Sequence, residues 1–173
     1  RDREERVVAL AGECHEVLGA FVRGQLLVML ALGVIYAAGL MIVGLELGAD
    51  DWVWVSAISF VASANCARYC GAQVDFVDVE PETGNLCVAA LREKLQGVQG
   101  SPRQPRALVA VHLAGQPCDL AEIGALCRQY GVHLIEDACH ALGASYQGDP
   151  IGSCAHSDMT VFSFHPVKPI TTG

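Results

Sequence analysis

Lysine is almost absent from this sequence. Of 173 residues only Lys94 and Lys168 are lysines, and the formal net charge is −8. This net charge argues against a surface that binds nucleic acids or anionic membranes, since both need basic patches. No glycine-rich nucleotide loop and no nucleophile elbow occur in the sequence either.

Paired short cysteine spacings are also missing. Eight cysteines are present without a single CxxC, so the sequence predicts neither a disulfide framework nor a structural metal site. Buried free thiols in a reducing compartment are the interpretation we favour. A zinc site remains an alternative on residue type alone, and its four members would be Cys139, His140, Cys154 and His156.

Lys168 is the lysine whose surroundings indicate chemistry. It follows the mostly apolar run Met159–Phe164 and lies among Pro, Val and Ile. Desolvation there favours the neutral amine, a nucleophile that forms Schiff bases with carbonyl compounds such as pyridoxal phosphate (PLP). Lys94, by contrast, lies beside Arg92 and Glu93 on the expected polar face of a helix.

The first part of the chain differs from the rest in its amino-acid composition. Residues 26–45 contain no charged side chain, which is about the length that a membrane-spanning helix needs. We predict a spanning helix over about 25–47, with a buried helix of a soluble protein as the alternative. An amphipathic helix is predicted before it, over 1–21. Arginines precede the apolar run and Asp50 and Asp51 follow it. By the positive-inside rule this arrangement would place the later part outside the cytoplasm. A part with many cysteines and no disulfide pattern is not expected there, so the two parts indicate different compartments.

From Trp52 onward the pattern is that of an α/β domain. Apolar strands alternate with helices, which predicts a parallel sheet with helices on both faces. The strands are predicted at 52–55, 73–79, 107–113 and 132–135, and the helices at 60–70, 87–95 and 119–130.

Two carboxylates and a histidine follow the last of these strands, where open parallel sheets bind ligands. We predict that Asp137 pairs with the pyridine nitrogen of PLP, although an ordinary strand-end residue is the alternative. Glu136 and Asp137 are not expected to act as a glycosidase pair, because adjacent strand residues point apart.

Three further residues are candidate cofactor contacts. Ser163 lies five residues before Lys168 and is placed at the cofactor phosphate, with a local backbone hydrogen bond as the alternative. Phe60 is a candidate for stacking on the pyridine ring or else a core residue. His140 is a candidate partner of the phenolic oxygen or else a satisfied histidine near the sheet edge.

These residues occur within segments that resemble a known family. The segments are Phe60–Asn65, Asp75–Val79, Pro81–Asn85, Val111–Gln116, Glu136–Ala141 and Ser163–Gly173. Together they resemble the DegT/DnrJ sugar aminotransferases, and most of all the members that aminate carbon 4 of a UDP-linked 4-keto-6-deoxy sugar in pseudaminic acid biosynthesis.

The resemblance implies a fold-type-I, PLP-dependent, cytoplasmic enzyme that takes the amino group from glutamate and is usually a homodimer. It implies that Lys168 forms the Schiff base, Asp137 binds the ring nitrogen, Ser163 contacts the phosphate and Phe60 stacks on the ring. Members that dehydrate carry histidine at the lysine position, so Lys168 favours transamination.

Residues 1–48 depart from the family pattern and resemble a fragment of the autoinducer-exporter permeases of the bacterial inner membrane. We therefore expect two parts, 1–48 permease-like and 49–173 a truncated aminotransferase large domain. The expected function is PLP-dependent transamination, with little activity because half the phosphate site and the small domain are missing. A fragment of a polytopic membrane transporter with a vestigial aminotransferase tail is the alternative.

Overall fold

Strands and helices alternate from Trp52 to Asp137, and three short strands follow. The computed structural model describes residues 47–164 together with Gly19, Arg23 and Gly24. Its strands are β1 (Trp52–Ser56), β2 (Gln73–Val77), β3 (Pro105–Val111), β4 (His133–Asp137), β5 (Ser145–Tyr146), β6 (Asp149–Pro150) and β7 (Met159–Val161). Within residues 47–164 the α-helices are α1 (Val61–Tyr69), α2 (Val88–Val98) and α3 (Leu120–Tyr130), and Leu113–Gly115 forms a 3₁₀ turn.

Five strands form one sheet in the order β2-β1-β3-β4-β7. Every neighbouring pair in it is parallel; Val109, for example, is opposite Ile135, and Asp137 is opposite Val161. The predicted parallel sheet is therefore confirmed. The short strands β5 and β6, which we did not predict, form a separate antiparallel hairpin.

Each face of the sheet has its own apolar core, because side chains alternate along a strand. One core places Trp54, Leu108 and Leu134 of the sheet against helices α2 and α3. The other places Val55, Val109 and Ile135, among others, on the side where Ala67 of α1 is buried. Helices thus cover both faces, as the nearly continuous apolar strands predict.

The ends of the elements differ modestly from prediction. Glu136 and Asp137 lie inside β4 and not after it. Strand β3 ends at Val111, and the chain then turns through Ala114, whose φ is 53°. Helix α3 begins and ends as predicted, since the Asp119 side chain accepts from the Glu122 N–H and Gly131 ends the helix at a φ of 66°.

The predicted amphipathic and apolar helices fall almost entirely on residues outside the described part of the chain. Leu47, at the end of the apolar run, is described and packs against the core on the α1 side. Among residues 47–164 and the three isolated positions, no helix has the length and apolar character that crossing a bilayer requires.

Candidate active site

Asp137 is the last residue of β4 and lies at the carboxyl edge of the sheet. It is 3% exposed. The Ser63 hydroxyl of α1 donates to its Oδ2 at 2.7 Å, and the Cys139 N–H donates to its Oδ1 at 3.2 Å. One donor on each oxygen, from two different elements, holds the plane of the carboxylate.

Phe60 immediately precedes α1 and lies at the same edge, because the helix follows the carboxyl end of β1. Its carbonyl accepts the Ser63 N–H at 3.0 Å, so both residues belong to the first turn of the helix. Phe60 is 46% exposed. This argues against the core alternative and leaves apolar surface for a planar ligand.

Ser163 and His140 follow two neighbouring strands. Ser163 comes two residues after β7 and is 7% exposed. His140 lies in the turn after Asp137, and that turn is joined to β7 by a hydrogen bond from the Ala138 N–H to the Val161 carbonyl (2.9 Å). Both residues thus follow the carboxyl ends of paired strands, beside Asp137. Lys168 lies outside the described residues.

Ser63 is the member of the site that sequence reasoning did not assign. It lies on the buried face of α1, whose other buried residues are Ala62, Cys66 and Ala67. A hydroxyl among alanines on the covered face of a helix needs a partner. That pattern, together with its place in the turn that Phe60 begins, could have identified it.

The neighbouring carboxylate, Glu136, belongs to the opposite face. His112 Nδ1 accepts the Cys118 N–H at 3.2 Å, which places the proton on Nε2, and Nε2–H donates to Glu136 Oε2 at 2.9 Å. The Ser157 hydroxyl donates to the other oxygen. Glu136 and Asp137 therefore point apart, as predicted, and do not form a glycosidase pair.

The hydrogen bonds of Glu136 also decide its charge. Burial by itself would raise the pKa of this carboxyl, but the hydrogen bonds from His112 and Ser157 outweigh burial and hold the pKa below its ordinary value. Glu136 is thus an ionised, paired carboxylate that connects the ends of β3 and β4.

Cysteines and metals contribute nothing further within the described part of the chain. No disulfide joins its seven cysteines, of which Cys66, Cys118 and Cys127 are buried and the other four partly so. Among the same residues no three side chains that bind metals come together, so the alternative zinc set is not assembled.

A groove of about 580 Å³ lies between α2 and α3, away from Asp137. Its polar side chains already pair across it: Arg92 with Glu122 at 3.1 Å, and the Tyr146 hydroxyl with Asp119 at 2.6 Å. We therefore place the candidate active site at the edge around Asp137 and not in this groove.

The residues at that edge fit PLP. A pyridinium N–H needs a buried acceptor, and each oxygen of Asp137 has two lone-pair sites of which one is used by the protein. Phe60 offers an exposed ring, and Ser163 follows the adjacent strand β7. What remains to be supplied is the amine, for which Lys168 is the candidate.

Comparison with known proteins gives consistent matches. The sequence model of the "DegT/DnrJ/EryC1/StrS aminotransferase family" matches residues 30–173, starting inside the apolar run. GDP-perosamine synthase of Caulobacter vibrioides is 40% identical over 137 residues, which cover 79% of this chain and 35% of that protein. A Campylobacter jejuni protein, UDP-4-amino-4,6-dideoxy-N-acetyl-beta-L-altrosamine transaminase, is 41% identical over 69% of this chain and 30% of its own length.

Among solved structures, the aminotransferase from Psychrobacter cryohalolentis aligns with a TM-score of 0.69 at 35% identity, over 84% of this chain and 33% of that one. The chain thus spans about a third of the length of the curated relatives it matches.

Proposed function

Because this chain belongs to the DegT/DnrJ/EryC1/StrS aminotransferase family, whose members are PLP-dependent, we propose that it takes part in sugar amination. The proposed reaction is transfer of an amino group from glutamate to a nucleotide-linked 4-keto-6-deoxy amino sugar. The observation that carries the proposal is the buried Asp137 carboxylate, held by Ser63 and Cys139 at the carboxyl edge of the sheet. A carboxylate of this kind is what a pyridoxal cofactor needs at its ring nitrogen.

PLP, when bound, supplies the electron sink on which amino transfer depends. In the proposed site Asp137 accepts a hydrogen bond from the ring N–H and so keeps the proton on that nitrogen. Phe60 lies against the ring, and Ser163 donates to the phosphate. We propose that His140 contacts the phenolic oxygen.

Lys168 is proposed as the amine that binds the cofactor and that moves protons during the reaction. Support comes from its sequence context, since it follows β7 and Ser163 in the chain and lies among Pro, Val and Ile. A desolvated amine suits both tasks.

For the substrate we propose a UDP-linked amino sugar. We further propose that the protein is the homodimer that the family resemblance implies. The support is the similarity to the C. jejuni transaminase, whose name specifies a UDP-linked 4-amino-4,6-dideoxy sugar. The similarity to a GDP-perosamine synthase is as high, so a GDP-linked 4-keto-6-deoxy sugar is the comparison that a test must include.

The first experiment locates the amine. The chain is incubated with PLP and reduced with borohydride, and the labelled peptide is identified by mass spectrometry. We expect the label on Lys168 and its loss in Lys168→Arg, because a guanidinium does not condense with the cofactor aldehyde. Lys94→Arg is the matched control, since Lys94 is the only other lysine and its ion pair with Asp75 (2.8 Å) suits an arginine.

Label that persists in Lys168→Arg would overturn the assignment of the amine. The second experiment supplies glutamate with either the UDP-linked or the GDP-linked keto sugar and detects the amino sugar. Turnover of the GDP-linked sugar alone would contradict the proposed substrate, and turnover of neither would contradict the proposed reaction.

A further inference from the structure

We propose that Ser63 is a positioning residue for the cofactor ring, acting through Asp137. Its hydroxyl fixes the carboxylate in the orientation that accepts the ring N–H. The inference rests on the proposed function, because it assumes that Asp137 meets the pyridine nitrogen.

The contact between the two side chains is direct and shielded from water. Ser63 is 1% exposed, and its Oγ lies 2.7 Å from Asp137 Oδ2. A buried carboxylate oxygen is costly to leave without a donor, so the hydroxyl and the carboxylate hold each other in place.

The position of Ser63 in the chain makes the contact more than an anchor. Ser63 lies in the first turn of α1, and its N–H bonds to the carbonyl of Phe60 at 3.0 Å. The same turn thus carries the residue proposed to stack on the ring and the residue that aims the carboxylate at the edge of that ring. A shift of α1 would move both together.

The second donor cannot replace the first. The Cys139 N–H holds only Oδ1, at 3.2 Å, and it belongs to the backbone directly after the strand. With Ser63 removed, one donor remains and the carboxylate can rotate about its Cβ–Cγ bond. The ring N–H would then meet an acceptor that is no longer held in one plane.

A purely structural role for Ser63 makes a different prediction. If the hydroxyl only fastens α1 to β4, its removal weakens binding of any ligand of the same shape to the same extent. If it aims Asp137 at the ring nitrogen, its removal affects only ligands that carry that nitrogen. An analogue of PLP in which carbon replaces the ring nitrogen separates the two roles.

The experiment measures dissociation constants of PLP and of this deaza analogue by titration of the intact chain, followed by absorbance. We expect the wild type to prefer PLP, and Ser63→Ala to reduce that preference about tenfold, as for the loss of one hydrogen bond to a charged group. Ser63→Thr, which keeps the hydroxyl, retains the preference. Ser145→Ala is the matched control, because Ser145 is exposed on β5.

A double variant isolates the route. In an Asp137→Asn background, Ser63→Ala should change the preference no further, since the group it orients has been altered. Circular dichroism verifies folding. Should Ser63→Ala not fold, Ser63→Cys takes its place with the same expected direction, because a thiol has similar size but donates weakly.

The outcomes distinguish this inference from the proposed function. A wild type that binds both ligands equally would show that Asp137 does not meet the ring nitrogen, and the proposed function would lose its carrying observation. A wild type that prefers PLP, with an unchanged preference in Ser63→Ala, would overturn the role of Ser63 alone.

Discussion

Two helical glycines provide a test of the packing that supports the edge of the sheet. Gly124 lies in the middle of α3, and a Cβ placed there would be 2.5 Å from the carbonyl oxygen of His156 and 3.4 Å from its carbonyl carbon. Gly97 lies near the end of α2, and nothing is within 4 Å of its Cβ position. The same change, glycine to alanine, therefore causes a steric clash with backbone atoms in α3 and no clash in α2.

The two substitutions should change stability in opposite directions. Alanine is favoured over glycine in a helix by about 1 kcal/mol, so Gly97→Ala should stabilise the chain by about 0.5–1 kcal/mol. At Gly124 the same gain is opposed by overpacking, for which about 3 kcal/mol is appropriate because a backbone carbonyl cannot rotate away. The expected net loss is about 2 kcal/mol.

The damage at Gly124 should reach the site. His156 is two residues before Asp158. The Asp158 N–H donates to the Leu134 carbonyl at 2.9 Å, and the Asp158 carboxylate accepts the Leu134 N–H at 2.8 Å. Displacing this segment loosens the connection between β4, which carries Asp137, and β7, which precedes Ser163. Gly124→Ala should therefore weaken PLP binding as well, while Gly97→Ala should not.

Urea unfolding followed by far-ultraviolet circular dichroism gives both free energies. The reasoning would be refuted if Gly124→Ala were as stable as the wild type, or if both variants lost stability equally. The second result would mean that helix geometry, and not the carbonyl of His156, sets the cost.

Two further predictions concern ionisable groups. The pKa of Glu136 is lowered in the folded state, so the ionised carboxylate stabilises the fold fully above its ordinary pKa of 4.5, and this stabilisation is lost as the pH falls through the folded pKa. Glu136→Gln should therefore flatten the acid side of a plot of urea midpoint against pH. An unchanged slope would contradict the assignment. Burial raises the pKa of Cys66 to about 11 and of Cys118 and Cys127 to about 12, so these three thiols should resist alkylation near neutral pH until urea unfolds the chain, as peptide mass spectrometry would show.

Much of the fold could be predicted from periodicity. Strands buried on both faces must be almost entirely apolar, and the runs around Val55, Val109 and Ile135 satisfy that condition, which identified the parallel sheet. The β5–β6 hairpin could not be identified in this way, since strands of two residues are too short to show a period.

The site was predictable in part, for a similar reason. Asp137 ends an apolar strand, so its place at the edge of the sheet could be predicted from the sequence. The partner of Asp137 could not be predicted from the sequence, because Ser63 is 74 residues away and the contact depends on how α1 packs on the sheet. The strand end was also misplaced by two residues, since Glu136 has the polarity of a loop residue but is paired with a buried histidine.

The adjacent carboxylates of β4 make the pairing of that strand a condition for function. Glu136 meets His112 on one side of the sheet, and Asp137 meets Ser63 on the other. A slip of one position would turn every side chain of β4 to the other side, so that one acid would meet the partner of the other and an apolar residue would take the remaining place. A chain folded in that register would lose both buried pairs at once, so a shifted β4 should destabilise the domain as well as dismantle the proposed cofactor site.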